Sequence, residues 1–368
     1  MKIYLILLAL LLVGAGVIWG ARRRGGKTHM TSFLSGAKID GLYKEGMSYR
    51  HGIGVDFDYP RARQLLGQAA EMGHTGAQYE LGLMLLEALG GPRDESGGMG
   101  WIERAAKGGN VHAQLHIGRC CLIGDGIERS VQNAESWMRQ AADAGSAEAQ
   151  SALGMLYRDK NSPLCHFAKA ISWLTKAAEQ NEPAALFALS QMYEHGEGVE
   201  KNIRTADGWL LKAAQQGVPE AMLKVAKFYR NGAFGHFFPQ DSSAALEWYK
   251  RAAACGVAEA EYELGLLYEN NEGVAEPDIG YAAHCYLKAA YKGYVPAQYR
   301  VGQLYLYGEG VVQNDSEARR WFVAAAAHGH VEAAQQVKKL RARIVQQPVI
   351  EQLDLPPPPP ERGTDWQS

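Results

Sequence analysis

The sequence contains few cysteines, and their pattern is not that of a disulfide framework or a zinc site. There are five, an odd number; Cys120 and Cys121 are adjacent, and no C-x-x-C spacing occurs. This usage is typical of a reducing compartment. An excess of positive charge is also missing, because the formal net charge is -2. We therefore expect no nucleic-acid partner, since phosphate backbones are bound by basic surfaces.

Charged residues are absent from residues 3–21, which read "IYLILLALLLVGAGVIWGA". A helix of this length spans about 28 Å, close to the roughly 30 Å hydrocarbon core of a bilayer. Trp19 lies at the far end, where aromatic residues favour the membrane interface. The segment predicts a single-pass transmembrane helix.

Basic residues follow this apolar run directly, at positions 22–24 and at Lys27. By the positive-inside rule they predict a cytoplasmic body on a bacterial inner membrane, although Lys2 and the terminal amine favour the opposite orientation. A cleaved signal peptide is the alternative, supported by the N-terminal location and the small residues at 14–16. It would place the body in the periplasm.

Residues 304–315, "LYLYGEGVVQND", contain a glycine pair that could belong to a phosphate-binding loop. A dinucleotide loop has a third glycine where this chain has Gln313, and it follows a strand rather than a helical pattern. Similar turns begin at His51, Gly124, His195 and Asn271. A motif that recurs at a regular interval indicates a repeat architecture, so we interpret this glycine pair as a turn between two helices.

Each repeat ends with an aromatic residue, three further residues, two alanines and a helix stop. The aromatic position is occupied by Trp101, Trp137, Trp173, Trp209, Trp248 and Trp321. The stops, 36 to 39 residues apart, are Gly73, Gly109, Gly145, Asn181, Gly217, Gly256, Gly293 and Gly329. Glycine and asparagine readily adopt the left-handed conformation that ends a helix. We expect the tryptophans to belong to the core between helices.

A helix start precedes each aromatic position by seven residues. Its occupants are Asp58, Asp94, Ser130, His166, Asn202, Asp241, Asp278 and Asn314, of which all but the histidine are good N-cap residues. The other half of each repeat has apolar residues at helical spacing and an inner glycine. Because glycine destabilises a helix, its recurrence at Gly82, Gly118, Gly154, Gly265 and Gly302 predicts close approach of neighbouring helices there.

With these motifs the chain resembles the Sel-one-like repeat family, which is related to tetratricopeptide repeats. The family pattern is Ala-x-x-x-Leu-Gly-x-x-Tyr, a Gly-x-Gly-Val turn, Ala-x-x-Trp and a final Ala-Ala and Gly; residues 297–329 match nearly throughout. The resemblance implies an all-α fold, a right-handed α-solenoid of about eight helix-turn-helix repeats, beside the N-terminal transmembrane helix. It also implies an adaptor that binds proteins and has no catalytic residues in common with its relatives.

Some repeats depart from the family pattern. Leu65 and Cys285 occupy the tryptophan position in the first and seventh repeats, and the fourth repeat reads "RDKNSPLCHF" in place of the glycine turn. These departures affect the expected local turn geometry and not the fold. The paired cysteines of one bacterial branch of the family are absent, so its disulfide-bonded, secreted character does not transfer.

No enzyme, cofactor or small-molecule site is predicted. His112, His116 and Cys120 have the i, i+4, i+8 spacing of one helical face, beside Cys121. The position of His116 is charged in four other repeats and alanine in two, so it tolerates charge, whereas that of Cys120 is apolar. We therefore expect the histidine to face solvent and the thiol to face the core. Side chains that face in different directions cannot bind one metal ion. The histidines are scattered, and no catalytic triad can be recognised among them.

Polar positions on the first helix of each repeat are the predicted partner-binding surface, since such helices line the concave face in related solenoids. The basic stripe consists of Arg119, Arg158, Lys224, Lys227 and Arg230, and we expect it to bind an acidic peptide. The turn of the sixth repeat is longer and holds Phe234, Phe237 and Phe238. These phenylalanines either pack onto the next turn or form an apolar contact for a partner.

The predicted domains follow from these patterns: residues 1–24 are the anchor with its basic flank, 25–37 a linker, 38–329 eight repeats, 330–346 a C-terminal capping helix, and 347–368 a Pro-rich disordered tail. The leading hypothesis is a membrane-anchored scaffold that holds protein partners. The second is an exported envelope factor that contacts cell-wall polymer or secreted proteins, and the third, less favoured, is a hydrolase.

Overall fold

The structure, a computed structural model, describes the backbone of residues 27–232 and 238–344, with side chains from 36 to 341. These residues form seventeen α-helices and no strands, in two compact units divided after His166. The helices of the first unit are α1 (Lys27–His51), α2 (Tyr59–Glu71), α3 (Thr75–Leu86), α4 (Glu95–Lys107), α5 (Val111–Ile123), α6 (Val131–Asp143) and α7 (Ala147–Arg158).

The second unit begins with the second helix of the fourth repeat. Its helices are α8 (Phe167–Glu179), α9 (Pro183–His195), α10 (Ile203–Gln215), α11 (Pro219–Asn231), α12 (Ser242–Ala254), α13 (Ala258–Asn270), α14 (Ile279–Tyr291), α15 (Val295–Tyr307), α16 (Asp315–Ala327) and α17 (Val331–Ile344). Within each unit, every helix packs against the next one along the chain. This is the all-α, solenoid-type arrangement that the helical periods predict.

Helix starts and stops lie where their chemistry requires them. Seven of the eight predicted N-cap residues accept a hydrogen bond from a backbone N–H of the first turn; Asp278, for example, accepts from Tyr281 N at 2.8 Å. All eight predicted stops have positive φ, from 60° at Asn181 to 93° at Gly145. These residues end the second helix of each repeat because the left-handed conformation breaks the helical hydrogen-bond pattern.

The glycine pair near the C-terminal end is a turn between two helices. Gly308 caps α15 with φ 75°, Gly310 has φ 69°, and the Asn314 side chain caps α16. Val311 packs back, partly buried, against the core of its repeat. The interpretation as a structural turn is confirmed.

The inner glycines lie where two helices of one repeat come into contact. A Cβ at Gly82 would lie 2.8 Å from the carbonyl oxygen of Gly98, and one at Gly265 would lie 2.4 Å from the Tyr286 ring. Equivalent positions at Gly118 and Gly302 meet Met138 at 2.8 Å and Phe322 at 2.7 Å. The predicted close approach is therefore found at these four glycines, and it explains why a helix-destabilising residue recurs there.

The second glycine of a turn presses against the preceding repeat. A Cβ at Gly310 would lie 2.5 Å from the carbonyl oxygen of Ile279, the first residue of the preceding second helix. A Cβ would likewise be too close to the first residue of the preceding second helix at three other turn glycines: Gly90 beside Tyr59, Gly198 beside Phe167 and Gly273 beside Ser242. Each of these turns therefore packs closely against the start of the preceding second helix. A side chain at the glycine would prevent this contact.

The prediction that the tryptophans belong to the core holds fully for Trp321, which is completely buried, and only in part for the five others. Trp101 and Trp137, for example, pack against core clusters without being fully covered. Trp101, Trp137, Trp173, Trp209 and Trp248 are only half-buried. The fully covered position is the next one along the chain, occupied by Ile102, Met138, Leu174, Leu210, Tyr249, Tyr286 and Phe322. Four half-buried rings carry an Arg or Lys from the following helical turn, 4.1 to 4.8 Å from the ring centroid. A ring that packs against the core on one face and contacts a cation on the other is typical of the edge of a hydrophobic core.

The start of the first helix differs from the sequence prediction, since α1 begins at Lys27, within the segment predicted as a linker. No glycine or proline occurs between Lys27 and Ser35, so the helical path of the first repeat extends toward the N-terminus without a break. Along the described ranges, no helix has both the length and the apolar character to cross a bilayer. The predicted anchor, residues 3–21, and the Pro-rich tail lie outside them.

Candidate partner-binding surface

The basic stripe is divided between the two units. Arg119 and Arg158 lie on α5 and α7, and Lys224, Lys227 and Arg230 lie on α11. All five are on first helices of repeats, as the sequence predicts, but the structure also shows which carboxylates lie beside them.

Each cation of the sixth repeat is paired with a glutamate of a neighbouring repeat. Lys224 pairs with Glu194 of the fifth repeat. Lys227 lies 2.6 Å from Glu259 of the seventh.

Arg230 contacts two carboxylates of the seventh repeat, Glu263 and Glu272, the latter at 2.9 Å from its Nε. The side chains of Arg230 and Glu263 are each only 17% exposed. The part of the stripe on α11 is therefore a set of inter-repeat ion pairs, and its positive charge is largely balanced.

Some of the inter-repeat ion pairs follow one positional rule on the first helices α3 to α15. The twelfth residue of one such helix pairs with the sixth residue of the next. This rule produces the pairs Glu194–Lys224, Arg230–Glu263 and Glu269–Arg300, and Arg50 near the end of α1 pairs with Glu80 in the same way. The sign alternates between neighbours, because Lys224, Glu263 and Arg300 occupy the same position in successive repeats.

The rule is interrupted in the first unit. Between the second and third repeats, the two positions hold Leu86 and His116, and between the third and fourth they hold Leu122 and Ala152. No ion pair is possible at either place. At these two positions the first helices meet through apolar or neutral side chains, while Arg119 and Glu148 pair elsewhere between the third and fourth repeats.

The two carboxylates that contact Arg230 have pKa values shifted in opposite directions. Burial raises the pKa of Glu263, against the opposing charges of Arg230 and Lys227. The hydrogen bond from Arg230 holds the pKa of the more accessible Glu272 below its ordinary value. Arg230 is thus fixed between a desolvated carboxylate and a well-solvated one, and a partner would have to displace both to reach it.

Arg119 is far more accessible than Arg230. It pairs with Glu148 at 2.8 Å, with side chains 56% and 48% exposed. Arg158 lies half-buried at the end of α7. The side chains of Arg119 and Lys227, 56% and 38% exposed, are within reach of a partner.

Phe238 is not an exposed contact, which corrects its assignment to the partner surface. Its side chain is 2% exposed and lies against Phe228 and Tyr229, with ring centroids 5.5 and 5.1 Å away. The apolar ring fills the space behind the last turn of α11, so the packing alternative applies to it. Phe234 and Phe237 lie outside the described residues.

The histidines and cysteines of α5 have separate environments. His116 and the exposed His112 lie beside the Tyr79 ring, with centroids 6.1 and 6.2 Å away, and burial lowers the pKa of His116. Cys120 and Cys121 are buried, and burial raises the pKa of both thiols. Within residues 36–232 and 238–341, no group of three or more His, Cys, Asp or Glu side chains is arranged to hold a metal ion.

A cavity of about 460 Å³ opens between the third and fourth repeats. Leu122 and Ala152, the pair that interrupts the ion-pair rule, both line it. Its wall also includes Arg119, Arg129 and the irregular loop that follows α7. The sequence signals for this feature were the missing glycine turn and the two apolar residues at otherwise charged positions.

Comparison with known families agrees with this architecture. The Sel1 repeat model matches residues 39–74, 75–110, 111–146, 167–182, 183–218, 219–257, 258–294 and 295–330. The chain belongs to the Sel1 repeat family. The match is interrupted at 147–166, which are α7 and the irregular loop of the fourth repeat. Sel1 repeats are typically non-catalytic modules that bind proteins.

Two solved structures are similar to the chain over most of its length. A Sel1 repeat protein from Oxalobacter formigenes has 29% sequence identity and a TM-score of 0.64, with 88% of this chain and 93% of that chain covered. The protein c5321, a protective antigen of uropathogenic Escherichia coli with an SLR fold, has 28% identity and a TM-score of 0.62, with 87% and 73% covered. The comparison with curated proteins found no match.

Proposed function

We propose that this chain is a membrane-anchored scaffold that binds protein partners on the face formed by the first helices of its repeats. The observation that carries the proposal is the presence of eight Sel1 repeats, a fold consistent with a protein-interaction scaffold. The exposed polar side chains of the first helices, such as Arg119 and Lys227, supply the specific contacts. The two hypotheses of an exported envelope factor and a hydrolase have less support from these features.

Anchoring rests on the sequence of residues 3–21 and on the basic residues that follow it. A cytoplasmic repeat domain is the orientation that the positive-inside rule favours. A reporter enzyme that is active on only one side of the membrane, fused after Ser368, measures this directly. Activity on the cytoplasmic side is the expected result; an exported signal would favour the envelope-factor alternative.

Partner binding is tested by site-specific photocrosslinking of the full-length chain in cells. Benzoylphenylalanine is placed at Arg119 and at Lys227 on first helices, and at Lys250 on the second helix α12 as the matched control. We expect discrete protein adducts from the first two positions and none from the third. Equal adducts from all three, or none from any, would contradict a binding face on the first helices.

A further inference from the structure

The cavity between the third and fourth repeats results from two local departures from the repeat pattern. Where other turns press a glycine against the preceding second helix, this loop has Ser162, and Val131 at the start of α6 lines the cavity. Where four other junctions have an ion pair between the two facing positions, this one has Leu122 and Ala152. Its own ion pair, Arg119–Glu148, lies elsewhere on the two helices. The glycine contact and the charged pair, each of which is found at several other junctions, are therefore both replaced here.

The loop that replaces the glycine turn is held by its own hydrogen bonds. Asn161 N donates to Asp159 Oδ1 at 2.9 Å, and Leu164 N donates to Ser162 Oγ at 3.2 Å. Cys165 N donates to Ser162 O at 3.0 Å. These bonds form two short turns in succession, so the loop is a defined wall of the cavity.

The lining combines an apolar base with basic groups. Met138 and Leu156 are buried, whereas Met155 is 44% exposed at the opening. Arg119 and Arg129 contribute two guanidinium groups. Asp159 is the one acidic lining residue that the structure describes, and one of its oxygens already accepts from the loop backbone.

The two arginines can accept further partners. Arg129 donates from Nε to the carbonyl oxygen of Leu122 at 3.0 Å, and no carboxylate in the described part of the chain pairs with it. Arg119 shares its charge with Glu148, which is itself half-exposed. An arginine presents several donors in a plane and binds a carboxylate with two of them.

We infer that this cavity is a docking site for an extended segment of a partner protein in which an apolar side chain is flanked by carboxylates. The volume lies in the range of small binding pockets, roughly 300 to 1,000 Å³. The apolar side chain would contact Leu122 and Met155, above the buried Met138 and Leu156, and the carboxylates would bind Arg119 and Arg129. This inference rests on the proposed function and gives it one specific site.

The test uses the full-length chain and a fluorescein-labelled peptide, Leu-Asp-Leu-Glu-Leu, followed by fluorescence anisotropy. Methionines carrying a ¹³C methyl group provide a second readout by NMR, because Met138 and Met155 line the cavity. We expect saturable binding that shifts both methyl resonances. Leu-Asn-Leu-Gln-Leu and Ser-Asp-Ser-Glu-Ser, which lack the charge or the apolar side chains, should each bind at least tenfold more weakly.

Two variants and one control assign the binding to this site. Arg129→Glu should weaken the peptide at least tenfold, while Lys201→Glu, at the same turn position of the fifth repeat, should leave it unchanged. The double variant Leu122→Glu with Ala152→Lys installs the ion pair found at other junctions and should abolish binding. Thermal unfolding of each variant confirms that it is folded.

The inference is overturned if the peptide fails to bind, if the uncharged peptide binds equally well, or if Arg129→Glu and Lys201→Glu behave alike. Failure of this inference can be distinguished from failure of the proposed scaffold function. Crosslinked partners that persist in the Leu122→Glu, Ala152→Lys variant would contradict the cavity and leave the scaffold intact. Loss of all first-helix adducts from the unmodified chain would instead contradict the scaffold.

Discussion

The junction between the third and fourth repeats and the junction between the sixth and seventh use the same helix positions with opposite results. At the second of these junctions, Arg230 and Glu263 close the first-helix face with an ion pair whose side chains are mostly covered. At the first, Leu122 and Ala152 leave a cavity. The fold tolerates both, so an ion pair between these two positions is not required for a repeat to stack on its neighbour.

The two junctions also differ in the core. The fully buried position next to the tryptophan slot is Met138 in the third repeat and Tyr249 in the sixth. Tyr286 occupies it in the seventh repeat and donates from its hydroxyl to Glu269, which in turn binds Arg300. The second unit thus connects its core to its surface ion pairs through buried phenols, a connection that a methionine cannot make.

High pH should produce the largest difference between the two regions. Burial raises the pKa of Tyr249, Tyr281 and Tyr286 strongly and raises the pKa of Tyr291 and Tyr294 to about 12. An unfolded tyrosine ionises near pH 10, so the unfolded state loses protons first and stability falls as the pH rises above 10. We expect hydrogen-exchange protection in α12 to α15 to be retained at pH 9 and lost between pH 10 and 12.

The first unit provides the comparison for this experiment. Peptides of α2 should keep their protection to higher pH, since the equivalent core position there is Leu66 and no phenol or thiol is among the described buried residues of its core cluster. Substituting Tyr286→Phe should move the loss of protection in α14 to higher pH. Simultaneous loss in both regions would argue that some other group controls alkaline unfolding.

Removing Arg230 should have the next largest effect. In Arg230→Met the partly buried Glu263 and Glu272 lose their cation, and the opening free energy of α11 to α13 should fall by about 2 kcal/mol, between the values for buried and surface pairs. Arg119→Met is the matched variant and should cost below about 0.5 kcal/mol, because its pair is exposed. Hydrogen exchange resolved by peptide measures both, and equal losses would contradict the difference in burial.

Adding one methyl group at an inner glycine should cost somewhat less. Gly265→Ala brings a Cβ within 2.4 Å of the Tyr286 ring and should destabilise α13 and α14 by about 1–3 kcal/mol. Gly208→Ala, in a helix with nothing within 4 Å, should instead stabilise by up to about 1 kcal/mol through helix propensity. Urea denaturation midpoints should therefore move in opposite directions.

Installing an ion pair at the third junction should change stability least. Leu122→Glu with Ala152→Lys copies Glu194 and Lys224, and the gain in Coulomb energy is offset by lost apolar contact, so we expect a net change within about 1 kcal/mol. Circular dichroism during urea titration measures it. A loss above about 3 kcal/mol would show that the apolar pair is required for stacking and not only for the cavity.

Most of the fold could be predicted because it depends on residues close in sequence. An N-cap such as Asp278 and a stop such as Gly293 act within one helical turn, so a single chain displays them as a regular pattern. The core position was misjudged by one residue: Trp248 is conspicuous in the sequence, but the neighbouring Tyr249 is the side chain that turns inward. Side-chain size alone does not tell which face of a helix is covered.

The candidate site was less predictable because charge balance depends on residues from a different repeat. Lys224, Lys227 and Arg230 form a basic stripe when read along one helix, and their partners Glu194, Glu259 and Glu263 lie on helices before and after it. Alternating sign at one repeat position was the available signal. The sequence also contains the features that form the cavity, namely the irregular loop and the apolar residues Leu122 and Ala152. That they line the same cavity can be seen only in the structure.

The inter-repeat ion pairs join residues that are close together in the chain. The partners in Arg50–Glu80, Glu194–Lys224 and Glu269–Arg300 are separated by 30 or 31 residues. A chain leaving the ribosome can therefore complete each junction as soon as the next first helix has emerged, without waiting for its far end. Assembly during synthesis should advance in steps of one repeat, and a stalled chain should already hold every junction that it has passed.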